Sequence, residues 1–282
     1  YNADRLRNEL GRPMSSYRGH SDTEVLVEAI AQWGVSEALT RAVGMFAFAA
    51  WDTRESELWL ARDRFGEKPL YFGAMGDIFA FSSELKSLRA VSGGRLEVNR
   101  GSLHQLLRWS WIPAPRTIYT GVQKVLPGHL LRLTSTGDQI SYERYWCAVS
   151  EADGVSRRPS RGREVVDELE DVLESSVRDR MVSDVPIGAF LSGGLDSSTV
   201  VAMMQRHSAD PVRTFTVGFS ESAYDESPYA AVVAERLGTQ HAEMIVSPAE
   251  AEAVIPRLPR IYDEPFADSS QIPTFLVSQF AR

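Results

Sequence analysis

The feature that most constrains this chain is the stretch from Val185 to Ser198, which reads VPIGAFLSGGLDSS. An apolar run of strand type stops at Ser192-Gly193-Gly194, and a helical pattern opens at Asp196. A strand, a glycine turn and a helix N-terminus together form an anion site, because backbone N–H groups and the positive end of the helix dipole converge there. The two glycines lack a Cβ atom, so the main chain can close on a phosphate group.

The same loop indicates a nucleotide phosphate together with a divalent cation. Ser192, Ser197 and Ser198 offer hydroxyl donors to phosphate oxygens. The carboxylate of Asp196 would repel a phosphate unless a cation such as Mg²⁺ lay between them. The loop is not a Walker A sequence, since that pattern requires GxxxxGK[ST] and no lysine follows these glycines.

Composition excludes several classes of protein. The chain has 282 residues, 43% of them hydrophobic and 24% charged, which is ordinary for a globular protein and enough for two domains. A formal net charge of −8 and the lack of any basic run argue against nucleic-acid binding. No apolar stretch approaches membrane-spanning length. The single cysteine, Cys147, permits no internal disulfide, so we predict a cytoplasmic protein.

The first half of the chain predicts an antiparallel α+β domain. Ser21 and Glu24 are spaced as a capping box ahead of an amphipathic helix that ends at Gly34. After this helix, the pattern of apolar residues and turn residues predicts hairpin strands and short helices. The predicted strands are 46–51, 57–62, 70–73, 78–82, 125–134 and 139–145, and the predicted helices are 83–89 and 101–109.

The second half changes to an alternation of strands and helices. Residues 150–163 are polar and contain Pro, Gly and Ser, which predicts a linker between domains at 1–149 and 164–282. The alternation that follows predicts βαβ crossovers and a parallel sheet, with the apolar side of helix 164–181 facing the core. The predicted strands are 185–191, 213–219 and 241–246, and the further helices are 199–206, 227–237 and 248–255.

In their order along the chain, the motifs resemble the asparagine synthetase (glutamine-hydrolysing) family, and SGGLDSS resembles the pyrophosphate loop of the ATP-pyrophosphatase superfamily. In the first half these motifs are SDTEV (21–25), GMFAFAAWD (44–52), LARDRFGEKPLYF (60–72), FSSELKSL (81–88) and PAPRTIYTGVQKVLPGH (113–129). In the second half they are VPIGAFLSGGLDSS (185–198), TFTVGF (214–219), ERLGTQH (235–241) and YDEPFADSS (262–270). The resemblance implies a partial N-terminal-nucleophile glutaminase sandwich of αββα layers, followed by a partial α/β ATP-pyrophosphatase domain.

The resemblance also implies a reaction in two halves. An N-terminal cysteine hydrolyses glutamine with its own amino group as base, and ammonia passes to the second domain. There ATP activates aspartate as a β-aspartyl-adenylate, and ammonia displaces AMP to give asparagine. The implied substrates are glutamine, aspartate and ATP, with Mg²⁺ as the metal and a homodimer as the family's habit.

The resemblance also implies roles for the residues at the positions that match the family's motifs. Asp22 matches the carboxylate that holds the α-amino group of glutamine, and Asp196 matches the Mg²⁺ ligand. Asp263 and Asp268 are candidates for the acceptor side, with a solvated acidic loop and N-capping at 268–270 as the alternative. The implied ATP-binding set is Leu191, Ser192, Gly193, Gly194, Leu195, Asp196, Ser197, Ser198 and Val217.

The sequence departs from the family at its first residue. The family's nucleophile is an N-terminal cysteine, whereas this chain begins with Tyr1. Cys147 has no free amine, and we predict that it is a buried small apolar residue. We therefore expect a central fragment that lacks both ends, has no catalytic residue of its own and is inactive in both half-reactions.

Several alternatives stay open. One is another adenylating ligase on the same scaffold, similar to a β-lactam synthetase, which needs no ammonia. A second is a cluster-specific amidotransferase that acts on a different carboxylate, and a third is a degenerate scaffold protein. For the charged run Arg62–Pro69 the alternatives are a gate on the ammonia route, a lining of the domain interface or a salt-bridged surface turn.

Overall fold

The computed structural model describes residues 1–154, 162–221 and 225–282 of the chain. These residues divide into two compact units. Unit 1 contains residues 1–154 and the segment Tyr262–Ala267, and unit 2 contains 162–221, 225–261 and 268–282. No helix among these residues has the length and apolar character that crossing a membrane requires.

Unit 1 is built from two antiparallel sheets and six α-helices within its described residues. The helices are α1 (Ala3–Leu10), α2 (Asp22–Trp33), α3 (Val35–Arg41), α4 (Leu85–Val91), α5 (Arg100–Trp109) and α6 (Ala148–Gly154). The strands are β1 (Ala47–Asp52), β2 (Glu57–Arg62), β3 (Tyr71–Met75), β4 (Ile78–Ser82), β5 (Val122–Lys124), β6 (His129–Thr134) and β7 (Gln139–Arg144). One sheet has the order β1-β2-β6-β7 and the other β4-β3-β5.

Alternation along the strands produces the layers of unit 1. Leu60 in β2 and Leu131 in β6 pack against Phe72 of the second sheet. The neighbouring residue Ala61 points to the opposite face and packs against Leu39 of α3. The far face of the second sheet packs against α4 in the same way. The result is the αββα sandwich that the family resemblance implies.

Unit 2 is a parallel sheet with helical connections. Its strands are β8 (Gly188–Phe190), β9 (Arg213–Phe219) and β10 (Gln240–Val246), in the order β10-β9-β8. Both strand pairings are parallel, as the alternation of strands and helices predicted. The helices are α7 (Arg163–Arg180), α8 (Leu195–His207), α9 (Ser227–Leu237), α10 (Pro248–Val254), α11 (Leu258–Ile261) and α12 (Gln271–Ala281).

The predicted strand 125–134 is correct only from His129 onward, where β6 begins. The chain ends β5 at Lys124 and turns through Pro127 and Gly128 before β6 begins. Gly128 has φ +66°, and a Cβ atom there would lie 2.5 Å from the carbonyl oxygen of Trp146. The turn moves the chain from one sheet to the other, because β5 pairs with β3 while β6 pairs with β2 and β7.

The capping box predicted at α2 does not form, although the helix spans the expected residues. The Ser21 hydroxyl accepts from the backbone N–H of Thr23 at 3.2 Å. The Glu24 carboxylate turns away and accepts from the N–H groups of Arg18 and Gly19 at 2.8 and 3.0 Å. Because the preceding loop offers two backbone donors, Glu24 stabilises that loop instead of the N-cap.

The apolar side of α7 does not face a core along its whole length. Val177, near its C-terminus, is buried with Met203 and Met204 of α8. The rest of the predicted core face is exposed, namely Val165, Val166, Leu169, Val172 and Leu173. The following strand is also shorter than the predicted 185–191, since β8 covers only Gly188–Phe190 and Val185 is 70% exposed.

The predicted linker, 150–163, coincides only in part with the described chain. Residues 150–154 form the end of α6, and α7 begins at Arg163. Residues 155–161 lie outside the described residues.

Candidate functional site

The candidate site lies at the carboxyl end of β8, where the chain turns into α8. Leu191 continues the sheet, because its N–H donates to the carbonyl oxygen of Phe215 at 2.9 Å. Gly193 has φ +77°, and Gly194 is the extended N-cap of α8. The chain therefore passes from strand to helix within three residues, as the sequence predicted. Ligands bind at the carboxyl ends of parallel strands in open α/β sheets.

Gly193 is required by packing as well as by its backbone conformation. A Cβ atom at this position would lie 2.7 Å from the backbone nitrogen of Ala230 and 2.7 Å from the Cβ of Tyr229. The loop thus rests directly on the first turn of α9. At Gly194 a Cβ atom would meet only the Ser192 hydroxyl oxygen, at 3.3 Å. The requirement for glycine is therefore strict at Gly193 and weak at Gly194.

Serine hydroxyls close the loop on itself. The hydroxyl oxygens of Ser192 and Ser197 lie 3.0 Å apart, and the N–H of Ser192 donates to the Ser197 hydroxyl at 3.3 Å. The first intrahelical bond of α8 runs from the N–H of Ser198 to the carbonyl oxygen of Gly194. The amides before Ser198 precede that ladder and point out of the helix end, which is the arrangement that binds anions.

The remaining polar groups of the loop differ in exposure. Asp196 lies exposed in the first turn of α8. The Ser198 hydroxyl oxygen is enclosed and has no hydrogen-bond partner among the described residues. Asp196 is therefore accessible to a ligand, whereas Ser198 needs a side-chain rotation to reach one.

A cavity of about 400 Å³ opens beside this loop within unit 2. Four of the predicted ATP-binding residues line it, and the other five lie on the adjoining loop and helix turn. Those four are Leu191, Ser192, Ser197 and Val217. The rest of the lining is Phe190, Phe215, Thr216, Phe219, Glu226, Pro273, Thr274 and Val277. A mostly apolar cavity with a few polar groups at one end is typical of a site for a small molecule with an aromatic part.

Backbone groups of Leu191 are already engaged in this cavity. Its N–H bonds to β9, and its carbonyl oxygen accepts from the hydroxyl of Thr216. A carbonyl oxygen has two lone pairs, so it can still accept one more hydrogen bond. The ATP-binding role implied for Leu191 stays a prediction.

Sequence reasoning missed the group that fixes the far wall of the cavity. The Asp225 carboxylate accepts from the N–H groups of Phe219 and Ser227 at 3.3 and 3.1 Å. Hydrogen bonds from Ser227, and then from Phe219, lower the pKa of Asp225. These bonds hold the start of α9, and with it the exposed Glu226, at the edge of the cavity. The proline at position 228, at the beginning of a helix, is the sequence signal that could have located this turn.

Asp22, the predicted glutamine-binding residue, lies in unit 1 at the first position of α2. It is exposed, and its Oδ1 accepts from the Thr23 hydroxyl at 3.4 Å. The carboxylate is therefore accessible to an amine, and its role stays a prediction.

In the charged run at Arg62–Pro69, the side chains of Arg62 and Asp63 are engaged by backbone groups. The carboxylate of Asp63 is buried and accepts from four backbone N–H groups, those of Phe46, Phe65, Glu67 and Lys68. The guanidinium of Arg62 donates to three carbonyl oxygens, those of Gly66, Lys68 and Val125. Both charges therefore satisfy backbone groups of a tight turn. A role in gating ammonia stays a hypothesis.

The two acceptor-side candidates belong to different units. Asp263 belongs to unit 1, where its Oδ2 accepts from the N–H of Leu85 at 2.6 Å. Asp268 belongs to unit 2, and its Oδ1 accepts from the N–H of Ser270 at 2.8 Å. Hydrogen bonds from Ser270 lower the pKa of Asp268. The N-cap residue of α12 is Ser270, and it makes no side-chain capping hydrogen bond, so the predicted N-capping at 268–270 is not confirmed.

Cys147 is not a buried apolar residue. It is half-buried just before α6, and hydrogen bonds from Ser150 and from the N–H of Val149 lower the pKa of its thiol. It thus lies in a polar environment that favours the thiolate.

The donor set tests whether a metal fits. The described residues hold no group of three or more His, Cys, Asp or Glu side chains that could ligate a metal ion. Mg²⁺ in phosphate-binding sites is commonly held by one or two carboxylates and by the substrate's phosphates. The exposed carboxylate of Asp196, beside a loop suited to anions, fits a site in which one carboxylate and the substrate's phosphates hold Mg²⁺.

Comparison with known proteins covers nearly the whole chain. Residues 1–146 match the family model of the glutamine amidotransferase domain, and residues 168–282 match that of asparagine synthase. The chain is 34% identical over 284 residues to asparagine synthetase [glutamine-hydrolyzing] 1 of Bacillus subtilis, a match that covers 100% of this chain and 43% of the relative. It is 35% identical over 288 residues to a putative asparagine synthetase [glutamine-hydrolyzing] of Mycobacterium tuberculosis, with the same coverage. It is 31% identical to the amidase chyE of Penicillium rubens over 84% of this chain and 36% of that protein.

Proposed function

Because this chain belongs to the glutamine amidotransferase family and continues into an asparagine synthase region, we propose that the complete protein makes asparagine from aspartate, glutamine and ATP. The chain spans 43% of the length of the synthetases it matches, so the activity is proposed for the complete protein. The observation that carries the proposal is the loop at Ser192–Ser198, with Gly193 packed against α9 and a cavity beside it.

The loop is suited to the pyrophosphate part of ATP. Outward-pointing amides at the start of α8 and the hydroxyls of Ser192 and Ser197 are donors, and they act on negative oxygens that gain charge as pyrophosphate leaves. The apolar part of the cavity, between Leu191 and Val217, is suited to adenine. In the proposed reaction, the aspartate carboxylate attacks the α-phosphate and pyrophosphate leaves, after which ammonia attacks the acyl-adenylate and AMP leaves.

We assign Asp196 as the residue that would hold Mg²⁺. When bound, the ion neutralises phosphate charge and so removes the repulsion between Asp196 and the nucleotide. The proposed ATP-binding set is completed by residues of the loop and of the first turn of α8, namely Gly193, Gly194, Leu195 and Ser198.

In unit 1 we assign Asp22 to the α-amino group of glutamine. A carboxylate pairs with an ammonium group by a charge-assisted hydrogen bond. The nucleophile that hydrolyses glutamine is not Cys147, since the amine of that residue is part of the peptide chain. The proposal therefore assigns no nucleophile among the residues of this sequence.

We further propose a domain division at 1–149 and 164–282, a cytoplasmic location and a homodimer. The division follows the two family matches, which end at residue 146 and begin at residue 168. The location rests on the single cysteine, and the dimer on family likeness alone.

The test is the fate of ATP in the complete protein. With glutamine and aspartate present, we expect AMP and pyrophosphate, measured by chromatography of the nucleotides. Asp196→Ala should abolish adenylation while glutaminase activity stays within about twofold, because the two reactions occupy different units. Release of ADP and phosphate, or loss of both activities in a folded variant, would contradict the proposal.

A second candidate differs only in the acceptor. This candidate is an adenylating ligase that amidates a carboxylate other than aspartate, and its support is the likeness to a relative named amidase, a name that specifies no aspartate. Pyrophosphate exchange that depends on aspartate supports the first candidate. Exchange that aspartate fails to stimulate supports the second.

A further inference from the structure

Among the described residues, Glu226 is the single charged residue that lines the cavity of unit 2. The other lining residues are apolar or carry uncharged hydroxyl groups, and all of them belong to the same unit. Glu226 is exposed, and its carboxylate has no hydrogen-bond or ion-pair partner within the described part of the chain. Both oxygens of this carboxylate can therefore accept hydrogen bonds from a ligand.

The backbone at Glu226 is held by the residue before it. The Asp225 carboxylate accepts from the N–H groups of Phe219 and Ser227 at 3.3 and 3.1 Å, and so joins the end of β9 to the start of α9. Gly218 leaves room for this carboxylate, because a Cβ atom there would lie 2.7 Å from Oδ1 of Asp225 and 2.7 Å from the Ser227 hydroxyl oxygen. Ser227 itself is 3% exposed. Glu226 thus lies between two anchored residues, and a ligand need not order its backbone.

The same end of α9 packs against the glycine loop. A Cβ atom at Gly193 would lie 2.7 Å from the Cβ of Tyr229 and 2.7 Å from the backbone nitrogen of Ala230. These two residues follow Glu226 by three and four positions in the chain. Glu226 and the proposed phosphate site are therefore parts of one packed region within unit 2. A nucleotide with its phosphates at this loop carries its ribose next to them, between the phosphates and the base.

We propose that Glu226 accepts hydrogen bonds from the ribose hydroxyls of ATP, and that it makes the cavity selective for ribonucleotides over deoxyribonucleotides. This inference rests on the proposed function, since it assumes that the cavity binds ATP. An ionised carboxylate is only an acceptor, and it repels phosphate, so its suitable partner on a nucleotide is a neutral donor.

Ribose supplies such donors in the right number. Its two adjacent hydroxyls match the two oxygens of one carboxylate, and an acidic residue beyond the glycine loop binds a ribose hydroxyl in dinucleotide-binding α/β folds. The amino group of adenine is the other neutral donor on ATP, and it lies on the far side of the ribose from the phosphates. A site built to bind a hydroxyl group rejects the analogue that lacks it, because its acceptor is then left without a partner.

The test compares ATP with 2′,3′-dideoxy-ATP, which lacks both hydroxyls, by calorimetric titration of the 282-residue chain in MgCl₂. The unmodified chain should bind ATP at least about tenfold more tightly, since hydrogen bonds to a charged group contribute that much. In Glu226→Ala this ratio of affinities should fall to about one. The ratio is the readout, because removing a charge near the phosphates affects both nucleotides alike.

The matched control is Glu235→Ala, which removes the same charge from the same helix. Glu235 is exposed and does not line the cavity, so the ratio of affinities should stay at the value of the unmodified chain. Glu226 makes no side-chain capping bond to α9, so Glu226→Ala should keep the unfolding temperature of the unmodified chain.

The inference is supported if discrimination is lost in Glu226→Ala and kept in Glu235→Ala. It is overturned if Glu226→Ala still discriminates, or if that variant loses affinity equally for both nucleotides, since Glu226 would then act on the phosphates, the base or the cation. Equal binding of the two nucleotides by the unmodified chain overturns the inference and leaves the proposed function standing. Binding of neither nucleotide contradicts the proposed function, and the inference fails with it.

Discussion

At the scale of single residues, the loop between β8 and α8 depends on the one glycine that touches α9. An L-residue in the left-handed region costs about 1–2 kcal/mol, and at Gly193 the clash with Tyr229 and Ala230 adds to this. We expect Gly193→Ala to lower the free energy of unfolding of unit 2 by about 1–3 kcal/mol. Denaturant titration followed by circular dichroism measures this.

Gly194→Ala is the matched control for that substitution. Gly194 has φ −71°, a value that alanine adopts freely, and only the Ser192 hydroxyl lies near. We expect its effect on stability to stay within about 0.5 kcal/mol. Equal losses in the two variants would show that the loop does not pack against α9 as described.

The thiol of Cys147 offers a second test at this scale. Because hydrogen bonds from Ser150 and Val149 lower its pKa, the thiolate forms at lower pH than in a free cysteine. The rate of alkylation by iodoacetamide should therefore rise with pH at a lower midpoint than for a free cysteine. Cys147 is the only cysteine in the chain, so the label reports on one site. Ser150→Ala should raise the midpoint, and a midpoint at or above the free value would refute this environment.

At the scale of elements, α7 carries an apolar side along its whole length, but only Val177 near its C-terminus is buried. We expect Val177→Ala to lower the stability of unit 2 by about 1–2 kcal/mol, because Val177 is buried against Met203 and Met204. Val172→Ala should change it by no more than about 0.5 kcal/mol, since Val172 is 67% exposed. Urea unfolding of both variants decides the matter. A larger loss for Val172→Ala would mean that the exposed side of α7 has a partner in solution.

The elements also show what a sequence can predict. Helix α2 ends at Gly34 and helix α9 at Gly238, as predicted, because these stops are local signals. The break between β5 and β6 was missed, because its reason is the approach of Gly128 to Trp146. The capping of α4 by Asp263 joins residues 178 positions apart, and no local pattern encodes such a contact.

The candidate site was predictable to a similar degree. The glycine turn between β8 and α8 follows from local glycine and serine chemistry, and it lies where the sequence predicted. Its role in binding phosphate stays a prediction. Glu226 and the first turn of α12 were missed, because they reach the cavity only through the packing of α9 and β9. The role of Asp63 was also missed, since four backbone donors converge on it only after the turn has folded.

At the scale of the whole molecule, the chain has two compact units, and a ligand of the cavity should stabilise the unit that contains it. A ligand that binds only the folded form stabilises it by about 2.7 kcal/mol at one hundred times its Kd. We therefore expect ATP with MgCl₂ to raise the unfolding temperature of unit 2, where the cavity lies. Differential scanning calorimetry with and without ATP measures this unfolding temperature, and pyrophosphate alone serves as the comparison ligand. An unchanged transition of unit 2 at saturating ATP would argue against the site.

The central claim is that the turn at Gly193 binds the phosphates of ATP. Equilibrium titration of the chain with ATP and MgCl₂ tests this claim most directly. The account predicts binding by the unmodified chain and by Gly194→Ala, and a loss of at least about tenfold in affinity for Gly193→Ala. Absence of binding by the unmodified chain, or undiminished binding by folded Gly193→Ala, would contradict it.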